Sequence, residues 1–123
     1  MKKEAKAQIE FNQYLREKRM HGFFELKYTE KDYLPFNKIE SHQYDGLQAT
    51  ERDGLVWKLS DEDRRQKPCD TLSIPPLPSY LVIRFPDGFY LVRIKYIVAL
   101  KDSGALGITL DQAKMCAELI VHT

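Results

Sequence analysis

The sequence has few of the residues on which most recognisable chemistries depend. It contains 2 cysteines and 3 histidines in 123 residues. Cys69 and Cys116 show no paired spacing and stand in mixed surroundings. That argues against a disulfide framework or a thiolate zinc site and fits a reducing cytoplasm. His21, His42 and His122 are scattered, so the chain spells out neither a zinc cluster nor a histidine-activated nucleophile, and it has no nucleophile elbow. Its 6 glycines form no phosphate-cradling loop. No apolar run approaches a membrane span, and no charged-then-apolar leader is expected. The formal net charge of +1 announces no global field for nucleic acid, so any basic surface must be local. There is no internal repeat and no low-complexity tract.

What is present describes one domain over residues 1–123. A hydrophobic fraction of 43% and a charged fraction of 30% suit a globular chain that can bury a core without staples. Residues 2–19, without Gly or Pro, predict a helix whose Phe11 and Leu15 share a face, with Glu4 near its apolar edge. Gly22 ends it and feeds a strand over 23–28. Residues 29–35 read as a polar loop that exposes Tyr33 and Leu34. Pro35 sets a second helix from about Phe36 to Glu51. Strands are expected at 55–59, which reads as buried, and at 69–74, on either side of a charged loop. Pro75–Pro78 is a stiff connector. Pro86-Asp87-Gly88 turns a hairpin between strands at 80–85 and 89–94, which accounts for Asp87 without a catalytic role. Residues 97–100 are expected to close the sheet region, and 101–107 to be a loop. Thr109 and Gln112 spell a capping box for a last helix running to about Ile120, with Ala113, Cys116, Ala117 and Ile120 inward. The order implies a mixed α/β (α+β) domain, with a central mixed sheet flanked by helices.

The most informative stretch is 23–47. In Phe23-Phe24-Glu25-Leu26-Lys27-Tyr28 the period of two puts Glu25 and Lys27 on one face, and Phe24, Leu26 and Tyr28 on the other. Such a pair suits an oxygen-ligated divalent metal on Glu25, with Lys27 beside it to hold a water or phosphoryl oxygen. The same alternation also describes a strand with an ordinary charge pair on a solvated face. In the following helix Phe36, Ile39, Gln43 and Leu47 fall on one face, so Gln43 sits within an apolar stripe. Its amide needs partners, either backbone at a helix–sheet seam or the Glu25/Lys27 strand. Asp70 shares a face with Leu72 and Ile74 and is either a turn cap or a ligand. The surviving set of Glu25, Lys27, Gln43, Asp70 and Glu4 is rich in hard oxygen donors, which select Mg²⁺ or Mn²⁺. Such a metal activates water and stabilises charge on a phosphodiester oxygen.

Phe24-Glu25-Leu26-Lys27, Pro35-Phe36, Ile39, His42-Gln43 and Leu47, followed by Trp57-Lys58-Leu59 and Lys67-Pro68-Cys69-Asp70, resemble the PD-(D/E)XK nucleases. Within them, the chain is similar to the small Holliday-junction resolvase-like proteins of phages and bacteria. The resemblance implies a restriction-endonuclease-like core in which Glu25 and Asp70 bind the metal and Lys27 positions the water. Gln43 would support the site, and Glu4 would stand where the family often places an acid on its first helix. It further implies a homodimer acting on branched DNA, in the cytoplasm of a bacterial or phage-infected cell. Lys31 and Lys38, with Arg64, Arg65 and Lys67 of the basic loop, would then meet phosphates. The chain departs from the family in one respect: no Asp precedes Glu25, so Asp70 must come from a later strand beside 23–28, in a rearranged sheet. Other readings are a catalytically inactive module of the same fold that binds DNA or a recombination protein, and an adaptor such as a nuclease inhibitor.

Overall fold

The computed structural model describes residues 2–60 and 67–123. In chain order it has α1 (Lys3–Lys18), β1 (Phe23–Tyr28), β2 (Tyr33–Pro35), a 3₁₀ turn (Phe36–Lys38), α2 (Ser41–Asp53), β3 (Leu55–Lys58) and β4 (Thr71–Ile74). Then follow β5 (Ser79–Phe85), β6 (Gly88–Arg93), α3 (Ile94–Asp102), β7 (Gly107–Thr109), α4 (Leu110–Cys116) and β8 (Leu119–His122).

A mixed sheet of order β1-β5-β6-β8 carries the domain. β1 and β5 are parallel, and the other two pairings are antiparallel. Parallel neighbours need a crossover, and here α2 lies within it. The centre of the sheet is the least polar part of the sequence. Tyr80 to Ile83 and Phe89 to Val92 are all buried, as strands covered on both faces must be.

The sheet splits the core into two layers. On one face α1 lays Ala7 and Phe11 over Leu26, Tyr80, Val82, Phe89 and Leu91. Phe11 is fully buried and meets Phe24 edge-on at 5.6 Å between ring centres. On the other face Leu81, Ile83, Phe85, Tyr90 and Val92 pack beneath α2, α3 and the short β2–β7 ribbon. Two side-chain networks tie the layers together. The Glu51 carboxylate accepts the Ser79 backbone N–H and two guanidinium N–H groups of Arg93, while the Tyr80 hydroxyl donates to Glu118.

The mixed α/β architecture matches the sequence pattern, and the Thr109/Gln112 capping box forms as written. Five local readings change. Leu34, read as exposed in a loop, is fully buried in β2, which pairs with β7. The second helix begins at Ser41 rather than Phe36. Phe36 and Ile39 are still buried, but from the 3₁₀ turn and the residue after it. Residues 94–102 form helix α3 rather than closing the sheet, because Ile94 and Ile97 recur at helical spacing and bury together. The last helix ends at Cys116, and Leu119–His122 pairs with β6 instead, giving the sheet its fourth strand. Finally, β3 is not buried: Val56 is 72% and Trp57 60% exposed, and among the described residues β3 pairs with β4 alone.

Candidate functional site

β1 stands at one end of the sheet, and its alternation is the one the sequence implies. Phe24, Leu26 and Tyr28 belong to the α1 layer. Glu25 and Lys27 therefore point the other way, opposite Leu81 and Ile83 in register and toward α2. The carboxylate is half-buried, while the Lys27 side chain keeps only 16% of its exposure. Lys27 Nζ lies 3.8 Å from Glu25 Oε1, an ion-pair distance too long for a good hydrogen bond. An ammonium has three donors, so Lys27 keeps capacity for another acceptor.

Gln43 completes the cluster. As the third residue of α2 it uses its two amide atoms in opposite directions. Its Oε1 accepts the Glu40 backbone N–H at 3.0 Å, half of a capping box, and its Nε2 donates to Glu25 Oε1 at 2.7 Å. The need of a helix N-terminus for an acceptor thereby fixes the orientation of the amide that holds the carboxylate. Both partners of Glu25 fall on Oε1, and Oε2 has no hydrogen bond or ion pair among the described residues. An Oε2 left open beside a desolvated ammonium can meet a cation, and Lys27 can meet an anion bound to that cation. Adjacent His42 faces Glu40 in solvent and takes no part.

The other residues singled out from the sequence lie elsewhere. Glu4 is exposed on α1, the helix packed on the opposite face of the sheet, so it does not converge with Glu25. Asp70 precedes β4, which pairs antiparallel with β3 and not with β1; the strand beside β1 is β5. The Leu59 N–H bonds the Asp70 carbonyl at the loop end of that hairpin. The Asp70 side chain is 84% exposed and pairs with Lys67 at 3.1 Å. The alternation that suggested a sheet position is satisfied by the hairpin alone. Arg64 and Arg65 lie outside the described residues.

No group of three or more His, Cys, Asp or Glu side chains converges among the described residues. Magnesium is nonetheless commonly carried on one or two carboxylates, with waters and substrate phosphate filling the remaining positions. On that chemistry the open Oε2 of Glu25 fits as one ligand.

Lys31 and Lys38 line a groove of about 510 Å³ just past the carboxyl end of β1, together with Thr29 and Tyr33. The position of Tyr33 in this wall was not legible in the sequence. It depends on the pairing of β2 with β7, two three-residue strands about 75 positions apart. Compared with known proteins, the chain matches no family model, no curated protein and no solved structure.

Proposed function

We propose that the chain is a Mg²⁺- or Mn²⁺-dependent endonuclease of PD-(D/E)XK type that hydrolyses phosphodiester bonds in branched DNA, in the manner of Holliday-junction resolvases. The observation that carries this reading is the convergence of Glu25, Lys27 and Gln43 on the α2 side of β1. Glu25 Oε2 would hold the metal, which when bound lowers the pKa of water and screens phosphate charge. Lys27, close to Glu25 yet short of a full hydrogen bond, orients the attacking water or a phosphate oxygen. Gln43 keeps the carboxylate from rotating away. Asp70 enters this reading through its hairpin, which has no third strand among the described residues and exposes Val56 and Trp57. Two-stranded ribbons of this kind are marginal alone. Seating this one along the free edge of β1 when DNA binds would bring a second carboxylate to Glu25.

Paired incision of a two-fold symmetric junction calls for a homodimer. Two free cysteines suit a reducing cytoplasm, bacterial or phage-infected. No helix among the described residues is long and apolar enough to cross a membrane.

The test is cleavage of a labelled four-way junction against matched duplex, with and without Mg²⁺. Metal-dependent, paired, symmetric nicks that vanish in Glu25→Ala and Lys27→Ala are the expected result. Cleavage retained by Asp70→Ala would remove that residue from the site and leave Glu25 as the ligand. One observation favours a second reading: Glu25 is the one carboxylate in the cluster. A non-catalytic module of the same fold would bind junctions equally well with and without the metal and never nick them.

A further inference from the structure

We propose that the grooves on either side of Tyr33 form a track for single-stranded DNA, so that the substrate carries an unpaired strand next to the scissile bond. This rests on the nuclease reading for its biological sense but not for its geometry. The first groove, about 510 Å³, begins where β1 ends and includes Lys31 and Lys38. The second, about 650 Å³, lies between the 3₁₀ turn and the end of α3 and includes Lys101 and Leu106. Tyr33 and Pro35 line both, so the two grooves meet at the tyrosine ring.

The chemistry along this path is that of a single-strand site: cations to follow the backbone and an aromatic face on which a base can stack. Lys31, Lys38 and Lys101 form no ion pair among the described residues; Lys101 instead lies 4.0 Å over the Tyr44 ring. The one carboxylate in the lining, Glu30, is paired with Lys3 of α1, which offsets its charge. Leu106, 82% exposed, and Tyr33, 38% exposed, offer apolar surface between the cations. A duplex has its bases stacked inside and gives such a surface little to hold.

The walls are pre-set. The buried Thr29 hydroxyl donates to the Tyr33 carbonyl at 3.0 Å and accepts the Lys31 N–H at 3.2 Å. Backbone bonds from Leu110 to Asp32 and from Phe36 to Leu106 fasten both flanks. Gly107 lies directly beneath the Tyr33 ring, where a methyl group would overlap the ring and the Leu34 carbonyl. The glycine lets the ring lie against β7 instead of swinging into the groove.

The experiment is fluorescence anisotropy of the full chain with a labelled oligothymidylate of about 12 nucleotides, a length within the range such sites span. A blunt duplex of equal length and unlabelled polyglutamate serve as competitors. The oligothymidylate should bind more tightly than the duplex. Tyr33→Ala should weaken it at least about fivefold, while Tyr33→Phe, which keeps the ring, should not. Replacing Lys31 and Lys38 together by Ala should reduce the slope of log K against log salt by about 1.4. Circular dichroism checks the fold of each variant. Equal affinity for duplex, no loss in Tyr33→Ala, or displacement by polyglutamate at matched charge would each overturn the proposal. Tyr33-dependent binding without cleavage in any metal sinks the nuclease reading and leaves the track standing. Cleavage with binding indifferent to Tyr33 does the reverse.

Discussion

Gln43 serves both the fold and the site, and a pair of substitutions separates the two. Gln43→Ala removes the acceptor for the Glu40 N–H and the donor to Glu25. A lost capping contact costs about 0.5–2 kcal/mol. A hydrogen bond to a charged group contributes about 1.5–3 kcal/mol when buried. Glu25 keeps 34% of its exposure, so water recovers part of that term and the low end applies. The sum is about 2–3.5 kcal/mol, a fall in Tm of about ten degrees for a chain this size. Gln43→Glu is the discriminating variant. Glutamate is as good a capping-box residue as glutamine, so the helix loses little. It places a second carboxylate where Nε2 met Glu25, however, and like charges 4 Å apart repel by about 1–4 kcal/mol as the effective dielectric falls from 80 to 20. Thermal unfolding should show Gln43→Glu destabilised at pH 7 by at least as much as Gln43→Ala, and recovering toward pH 4 as the pair takes up a proton. The recovery follows because the folded pair binds a proton more tightly than the separated groups of the unfolded chain, so stability rises as pH falls. Added Mg²⁺, by bridging the two carboxylates, should restore stability at pH 7. A Gln43→Glu protein as stable as wild type at pH 7 would refute the reasoning and reduce Gln43 to a helix cap.

Phe11→Ala should cost about 3–5 kcal/mol in a chemical-denaturation experiment, since the ring is fully buried between α1 and the sheet. A loss under 1 kcal/mol would mean that α1 is not docked as described. Glu51→Ala leaves the Arg93 guanidinium and the Ser79 N–H without their acceptor and should cost about 2–4 kcal/mol, while Glu51→Gln should recover part of it. Stability should fall steeply between pH 10 and about 12. Burial first, and then the neighbouring Glu118 and Asp87, push the Tyr80 and Tyr90 hydroxyls up to about 12. The folded state thus keeps protons that the unfolded chain has released, and each tyrosine adds a slope of at most about 1.4 kcal/mol per pH unit. Denaturation midpoints that stay flat from pH 9 to 11.5 would contradict this.

The local rules in the sequence proved sufficient wherever a few neighbouring residues determine the outcome. The period of two in 23–28 sets which side chains face α2, the Pro86–Gly88 turn joins β5 to β6, and Thr109 with Gln112 starts α4. Each depends on backbone geometry over less than two turns of chain. Strand β8 was beyond such rules. Leu119 to His122 reads equally well as the continuation of an apolar helix, and the free edge of β6 decides the matter by offering ladder partners. The same holds for 94–100, where a short apolar run fits strand or helix until packing against α2 and β5 selects one.

The site divides along the same line. That Glu25 and Lys27 share a face follows from the pleat, and that Gln43 needs a polar partner within its stripe follows from amide chemistry. That the partner is Glu25 is set by the parallel β1–β5 pairing, which positions the intervening α2 across β1. Asp70 and Tyr33, like Glu4, are cases that sequence spacing could not place. Asp70 satisfies its alternation in a hairpin that pairs with neither β1 nor β5, and Tyr33 becomes a groove wall through pairing with a strand about 75 residues on. Side-chain direction along an element is a local property of the chain. Which elements become neighbours depends on the burial of the whole apolar surface at once, and that is decided only in the folded molecule.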